Sequence, residues 1–362
     1  MAKLACLVVG TGEYTTGYGL NSAKTDKSAG VIMLTLFELR KQGLVGDLHL
    51  AGVQGAKLPA IRAHMQRAIG EAYPGSAFDL SCSTYPADGA TDPLAYRAGL
   101  AAMPRGSAVL IFTPDDTHFS IAMDAVAAGM HVLATKPITL TLAEQAALAA
   151  AAAAKGVLCC GEFHKRWDPF YGDARDRLRK LGDLSFFTAY MSQPKIQLDT
   201  FKAWAGKSSD ISYYLNSHHV DYCEWVMQGR GRPLRVTAAA ATGVAVVRLG
   251  RPCEDTISLT VNWENLPSRN VAIATFVASW VAPPADVHSQ QCVGRGAAGA
   301  RAPLTLPATD CAPHPPTPPF PLLLPGVFLP WRTRARPPWT SATAGFPPPR
   351  RPPAMPPPIP SL

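Results

Sequence analysis

Leu4 to Val9 is an apolar run unbroken by polar residues, and it stops at Gly10. A strand buried on both faces of a parallel sheet reads this way, because helices cover each face and leave no solvent side toward which to alternate. Periodic segments then follow in alternation. Helices are expected near Ala29 to Gln42, Pro59 to Ile69, Pro93 to Ala102 and Thr117 to Ala128, with strands near Leu48 to Val53, Asp79 to Ser83, Ala108 to Phe112 and His131 to Thr135. Strand and helix alternating at this spacing predict a doubly wound Rossmann-type α/β domain whose ligand edge lies at the carboxyl ends of the strands.

The pattern changes after residue 137. A long helical stretch runs from Leu140 to Lys155, a short apolar run covers Val157 to Cys160, and a helix near Pro169 to Leu181 closes at Gly182. Beyond Leu184, Phe186 to Met191, Thr237 to Val247, Ile257 to Trp263 and Val271 to Trp280 alternate β-branched and aromatic positions with polar ones. This predicts an α+β domain with a largely antiparallel sheet. The organisation expected is a dinucleotide-binding domain over 1–137, a substrate and oligomerisation domain over 138–292, incomplete if its sheet should run further, and a disordered tail over 293–362.

The tail is set apart by composition. It holds 21 of the chain's 35 prolines and seven arginines against one acid, Asp310. Proline at that density cannot sustain a hydrogen-bonded ladder, so a disordered linker, a polyproline docking segment or a reading-frame break are the readings left open. Six of the eight net positive charges fall there. The remaining two give no basis for a nucleic-acid partner. The eight cysteines show no CxxC pair and no zinc spacing, which points to a reducing compartment, the cytoplasm, and to no metal. The apolar start leads into a glycine loop rather than a cleavage site, and the Ala-rich stretch 143–154 is too short to span a membrane.

Candidate chemistry clusters at the expected strand ends. In Gly10-Thr11-Gly12-Glu13-Tyr14-Thr15-Thr16-Gly17, Gly10 permits a tight turn and Gly12 lets the backbone approach a pyrophosphate, although the third glycine comes two residues late for GxGxxG. After the second strand, Gln54 and Lys57, with Arg62 beyond, stand where an NAD enzyme places a carboxylate for the ribose. These cations either neutralise a 2′-phosphate, favouring NADP over NAD, or are ordinary surface charges. Thr113-Pro114 with His118, and Lys136-Pro137, end the next two strands. Tyr213 to Asp221 packs phenols, an amide, two imidazoles and a carboxylate into nine residues; as a helix it places Tyr214, His218 and Asp221 on one face. His219 reads better as a core or interface residue.

These segments together resemble the Gfo/Idh/MocA oxidoreductase family over roughly residues 3 to 292. The family's Glu-Lys-Pro looks like Thr135-Lys136-Pro137, its Thr-Pro…His loop like Thr113, Pro114 and His118, and its basic-aromatic segment like His164-Lys165-Arg166-Trp167-Asp168-Pro169. Its Asp…His…Asp helix is similar to Tyr214, His218 and Asp221. The resemblance implies hydride transfer between nicotinamide and a sugar carbon, with Lys136, His218 and Tyr214 at the reacting oxygen. It implies cofactor contacts from Gly10, Thr11, Gly12, Glu13, Tyr14, Gln54, Lys57, Thr113, Pro114, His118 and Pro137, and substrate contacts from Lys165, Arg166, Asn216 and His219. The long first loop and the Tyr-Leu-Asn-Ser-His-His run are similar to a branch of fungal D-galacturonate reductases, whose substrate carboxylate would draw on Lys165, Arg166, Lys195 or Lys202. A polyol or sugar dehydrogenase using NAD, and a non-catalytic dinucleotide-binding or truncated product, are the alternatives. A homo-oligomer follows from the family. Thr135 in place of Glu removes a cofactor or lysine-orienting contact of the family, and Tyr214 in place of Asp removes a carboxylate from its proton relay.

Overall fold

Six strands form one wholly parallel sheet. A computed structural model describes residues 3–19, 27–282, 289–296 and 304–306. The chain begins with β1 (Leu4–Val9), a short helix α1 (Glu13–Thr16), α2 (Ile32–Lys41), β2 (Val45–Ala51), α3 (Leu58–Met65), β3 (Ser83–Tyr85) and α4 (Tyr96–Ala102). It continues with β4 (Ala108–Ile111), α5 (His118–Ala127), β5 (His131–Thr135), α6 (Leu142–Lys155) and β6 (Cys159–Glu162). The strand order is β3-β2-β1-β4-β5-β6. Its direction reverses between β1 and β4, and the crevice of a doubly wound sheet opens at that point.

The apolar run of β1 is buried from Ala5 to Val9 because it lies at the centre of this sheet. Leu7, Val9, Val109 and Ile111 face one core layer with Ile121, Ala125 and Leu148; Cys6, Val8 and Leu50 face the other with Met33, Phe37 and Ile61. The Ala-rich stretch is α6, started by a reciprocal Thr141 and Glu144 capping box and stopped by left-handed Gly156.

Boundaries in the first sheet differ from expectation. The run ending at Cys160 is the sixth strand of the first sheet, pairing parallel with β5 from Val132↔Cys159 to Thr135↔Glu162, so the dinucleotide domain does not end at 137. The strand expected at Asp79 to Ser83 starts only at Ser83. Asp79 turns its carboxylate onto the Ser81 amide at 2.9 Å, and Arg40 takes the Ser81 carbonyl at 2.8 Å, which occupies the groups a strand would pair.

The second domain comprises α7 (Pro169–Lys180), β7 (Leu184–Pro194), α8 (Gln197–Thr200), α9 (Ser217–Met227), β8 (Gly231–Thr242), α10 (Val244–Leu249), β9 (Glu254–Asn265), β10 (Val271–Ala282), β11 (Ser289–Gly296) and β12 (Leu304–Leu306). Its sheet runs β12-β11-β7-β10-β9-β8 and is antiparallel except where β7 meets β10. The strand expected to reach Val247 stops at Thr242. Gly243 sits at φ +147°, and the Asp255 carboxylate accepts the Val244 and Ala245 amides at 2.9 and 2.6 Å, starting α10 instead. Strand β11 crosses the expected tail boundary at 293 and pairs with β12, so ordered sheet extends beyond it. The rest of the expected tail, 297–303 and 307–362, lies outside the described residues.

Phe187, Phe276, Tyr222 and Trp263 fill the space between this sheet and α7 and α9. Phe276 is fully buried, with its ring centroid 5.7 Å from that of Phe187. Phe276→Ala is expected to lower stability by about 3–5 kcal/mol, read as a fall in the urea midpoint at unchanged m-value.

Candidate active site

Three strand ends and one irregular helix converge on Lys136, the residue that follows β5. Its ammonium donates to the Tyr214 carbonyl and lies 4.1 Å from the centroid of the Tyr214 ring. Tyr214 belongs to a π-helical turn, Ser212–Asn216, that leads into α9, a wide turn often found at functional sites. Burial pulls the Lys136 pKa down to about 8, against the opposing pull of Asp115 and Glu162, while Lys165 adds to the depression. Desolvation in turn raises the Asp115 pKa, with the Ser209 hydrogen bond and then the nearness of His118 and Lys136 opposing it.

His218 is 6% exposed and stands on α9 one helical turn beyond Tyr214. Burial, and then the positive fields of Lys136, His164, Lys165 and His219, hold its pKa well below 6.5, so the ring is neutral at pH 7. Its Nδ1 has no hydrogen-bond partner among the described residues. The His164 ring lies against it, centroids 4.6 Å apart, and the Glu162 carboxylate is 3.3 Å from His164 Nδ1. Glu162 closes β6 directly beside Thr135 in register. A carboxylate therefore stands one strand away from the position at which the resembled family carries its glutamate.

The glycine loop lies across the switch point. A Cβ on Gly10, at φ +113°, would meet the Phe112 carbonyl oxygen at 2.1 Å, so the loops after β1 and β4 touch through that glycine. A Cβ on Gly12 would project into open space. An open approach to the backbone is what a pyrophosphate needs, so the loop fits a dinucleotide. Thr11 packs over Gly52, and Gly17 abuts Gly30 so closely that neither tolerates a Cβ, which accounts for the late third glycine. Glu13 opens the single turn of α1. Tyr14 tilts against Phe112 and has its pKa raised to about 12 by burial and by the nearness of Glu162 and Tyr214. It faces the Lys136 cleft rather than the phosphate loop.

Several expected contacts are placed elsewhere. His118 is fully buried with its ring nitrogens 2.7 and 2.9 Å from the Pro137 and Thr113 carbonyls. It ties two strand-end loops together, with both ring nitrogens engaged by backbone carbonyls. Thr113 also takes the Thr117 hydroxyl at 2.7 Å, and Pro114 is exposed beside it. Gln54 bridges to Thr91 through the backbone, and Lys57 is exposed. Arg62 is held by both oxygens of Asp88, at 3.1 and 2.5 Å, and by Thr84 at 2.9 Å, so a carboxylate does stand near the expected phosphate cations.

Of the substrate candidates, Arg166 is spent on a two-pronged pair with Asp221 at 2.7 and 2.6 Å, which also takes Asp221 out of the expected relay face. Asn216 turns toward Ser212 and the Ile257 carbonyl. His219 is buried against the Tyr171 hydroxyl at 3.0 Å, as a core residue would be. Lys165 is buried, donates to Gln290 at 2.5 Å and lies over the Tyr171 ring at 4.5 Å, yet its field reaches both Lys136 and His218. The Tyr214 ring stacks on Trp280 at 5.9 Å, and its hydroxyl meets the Gln193 amide at 3.3 Å. Tyr214 thus acts on Lys136 through its ring face and carbonyl, not through a phenol taking the place of a carboxylate.

Among the described residues no group of His, Cys, Asp and Glu is arranged to hold a metal, and no helix is long and apolar enough to cross a membrane. Residues 4–163 match the model of an oxidoreductase family with an NAD-binding Rossmann fold, GFO_IDH_MocA. The uncharacterized oxidoreductase YdgJ of Escherichia coli is 32% identical over 121 residues, 33% of this chain and 35% of that protein. The NADP-dependent scyllo-inositol 2-dehydrogenase IolW of Bacillus subtilis is 30% identical over 135 residues, 36% of each chain. The matches thus span about a third of these relatives' length. A Lactobacillus casei scyllo-inositol dehydrogenase, solved with NAD(H) and scyllo-inositol, shares the fold at a TM-score of 0.59 and 17% identity, covering 84% of this chain and 76% of its own.

Proposed function

Residues 4–163 match the model of the Gfo/Idh/MocA oxidoreductase family, and on that premise we propose that the protein moves a hydride between a nicotinamide dinucleotide and a carbinol carbon of a sugar or polyol. The observation that carries this reading is the convergence of Lys136, its pKa brought to about 8, with a neutral, buried His218 beyond the glycine loop. Two groups of opposite proton habit at one strand-end crevice are what a carbonyl–alcohol interconversion requires.

The loop at Gly10 and Gly12 would hold the dinucleotide, and the nicotinamide, when bound, supplies the hydride acceptor. Lys136, cationic below its pKa, donates to the substrate oxygen and stabilises negative charge developing there. His218 accepts the hydroxyl proton as the hydride leaves. Tyr214 holds the ammonium from one side, while Asp115 and Glu162 favour its charged form.

A neutral polyol is the substrate class we favour. A uronate carboxylate would have drawn on Arg166, but Asp221 already fills that guanidinium fork; Lys202 is exposed and Lys195 half-buried. The D-galacturonate reading keeps one supporting observation, the buried Lys165 beside His218. NADP is the cofactor we favour, on the exposed Lys57 and the lack of a carboxylate from Gly52 to Lys57, with NAD the alternative now that Asp88 holds Arg62. A homo-oligomer through the outer sheet face is supported by exposed Tyr190, Val271 and Ile273, and sedimentation at assay concentration tests it.

The functional test is nicotinamide absorbance at 340 nm. Inositols, other polyols and sugars are offered with NADP⁺ and NAD⁺, and D-galacturonate with the reduced cofactors. Polyol oxidation faster with NADP⁺ is the expected result. Dinucleotide binding with no turnover on any member of the panel would return the non-catalytic reading.

A further inference from the structure

A proton accepted by His218 has to leave a ring that is almost wholly enclosed. The groups facing that ring are Lys136 from the end of β5, His164 and Lys165 from the short helix after β6, and its neighbour His219. Lys165 is buried and committed to Gln290, and His219 is buried against Tyr171. Lys136 is a cation directed at the Tyr214 carbonyl. His164 differs from all of these. Its side chain is 55% exposed, its ring touches that of His218 at 4.6 Å between centroids, and its Nδ1 lies 3.3 Å from Glu162.

Resting on the function proposed above, we infer that His164 carries protons between the buried His218 and solvent, with Glu162 beside its ring to orient it. In the oxidative direction the carbinol C–H bond gives its electron pair and hydrogen to the nicotinamide, and the O–H proton passes to His218. The His218 imidazolium then yields that proton to His164, which passes it to water or buffer; reduction runs the same steps backward. The rings are in contact without a hydrogen bond between them, so the transfer crosses one bridging water, within the ordinary reach of acid–base partners. Glu162, 3.3 Å from Nδ1, occupies that side of the ring and leaves Nε2 of His164 as the exchanging atom. His164 is thereby a positioning and shuttling residue, not one that touches substrate.

The test pairs two readouts on the full chain, wild type against His164→Gln, with Glu162→Gln as the milder variant. In protein labelled with ¹⁵N-histidine, exchange of the His218 ring proton with water is expected to slow at least tenfold in His164→Gln and severalfold in Glu162→Gln. Turnover in dilute buffer is expected to fall about tenfold in His164→Gln at unchanged KM and to recover with added imidazole, which delivers the missing shuttle through solution. Unchanged His218 exchange, or a turnover loss that imidazole does not restore, overturns the relay. Slowed exchange in a chain that oxidises no polyol and reduces no uronate keeps the relay and defeats the proposed reaction instead.

Discussion

Lys136→Ala is expected to cut turnover about 10³-fold while dinucleotide affinity stays within twofold. On the proposed mechanism the substituted side chain carries the ammonium that would meet the substrate oxygen, and it donates to the Tyr214 carbonyl rather than to the glycine loop that would hold the phosphates. In free-energy terms the loss is about 4 kcal/mol of transition-state stabilisation. Lys136→Arg keeps a charge but cannot reproduce a point donor above the Tyr214 ring, so it should recover only part of the rate.

The pH profile supplies the sign. Lys136 titrates at about 8, far below a free lysine, because burial disfavours its cation. In the oxidative direction His218 is already neutral at pH 7 and the protonated form of Lys136 is the one required, so kcat/KM should hold between pH 7 and 8 and fall as pH rises further. The alanine variant should lose that limb. Full turnover in Lys136→Ala with cofactor still bound would remove the lysine from the chemistry. Fluorescence titration of the reduced cofactor together with the 340 nm assay separates these cases.

Gly10→Ala should affect folding and binding at once. The residue is at φ +113°, and the added methyl would be 2.1 Å from the Phe112 carbonyl oxygen and 2.7 Å from its carbon. Backbone cannot swing aside as a side-chain tip can, so the loops after β1 and β4 must separate at the switch point. A loss of about 3 kcal/mol or more is expected from strain and lost contact together, with dinucleotide affinity down more than tenfold. Gly12→Ala provides the contrast. Its φ is −72° and its Cβ points into open space, so stability should be unchanged while affinity alone falls. Equal stability losses in the two variants would mean that Gly12 is structural and that the loop is no phosphate cradle.

Much of this was legible in the sequence, for identifiable reasons. The central strands announce themselves because burial on both faces forbids polar interruption, and β1 is the plainest case. Lys136 and His218 were legible because the spacing of their neighbours marks a strand end and a helix face. The sixth strand was not. Cys159 to Glu162 is four residues long with no fully buried position, and read as a stray apolar run it falls to the wrong domain. With it went Glu162 and His164, whose position at the crevice follows only once β6 is placed beside β5. The protein partners of Arg166, Asn216 and His118 were not legible for another reason. Residue type and proximity in sequence suggest a ligand contact, but a carboxylate or carbonyl brought in from 55, 41 or 19 positions away had already claimed each side chain.

The late placement of β6 also decides where this protein can be cut and rejoined. A chimera that exchanges the second domain for that of a relative looks natural at Pro137, where the sequence changes character. A seam there would bring a foreign edge strand into the first sheet and discard Glu162 and His164 with the native one. Joined instead after the Asp168 side chain that caps α7, the recipient would retain its own sheet edge and both polar groups, and substrate modules could be traded without rebuilding the crevice that serves them.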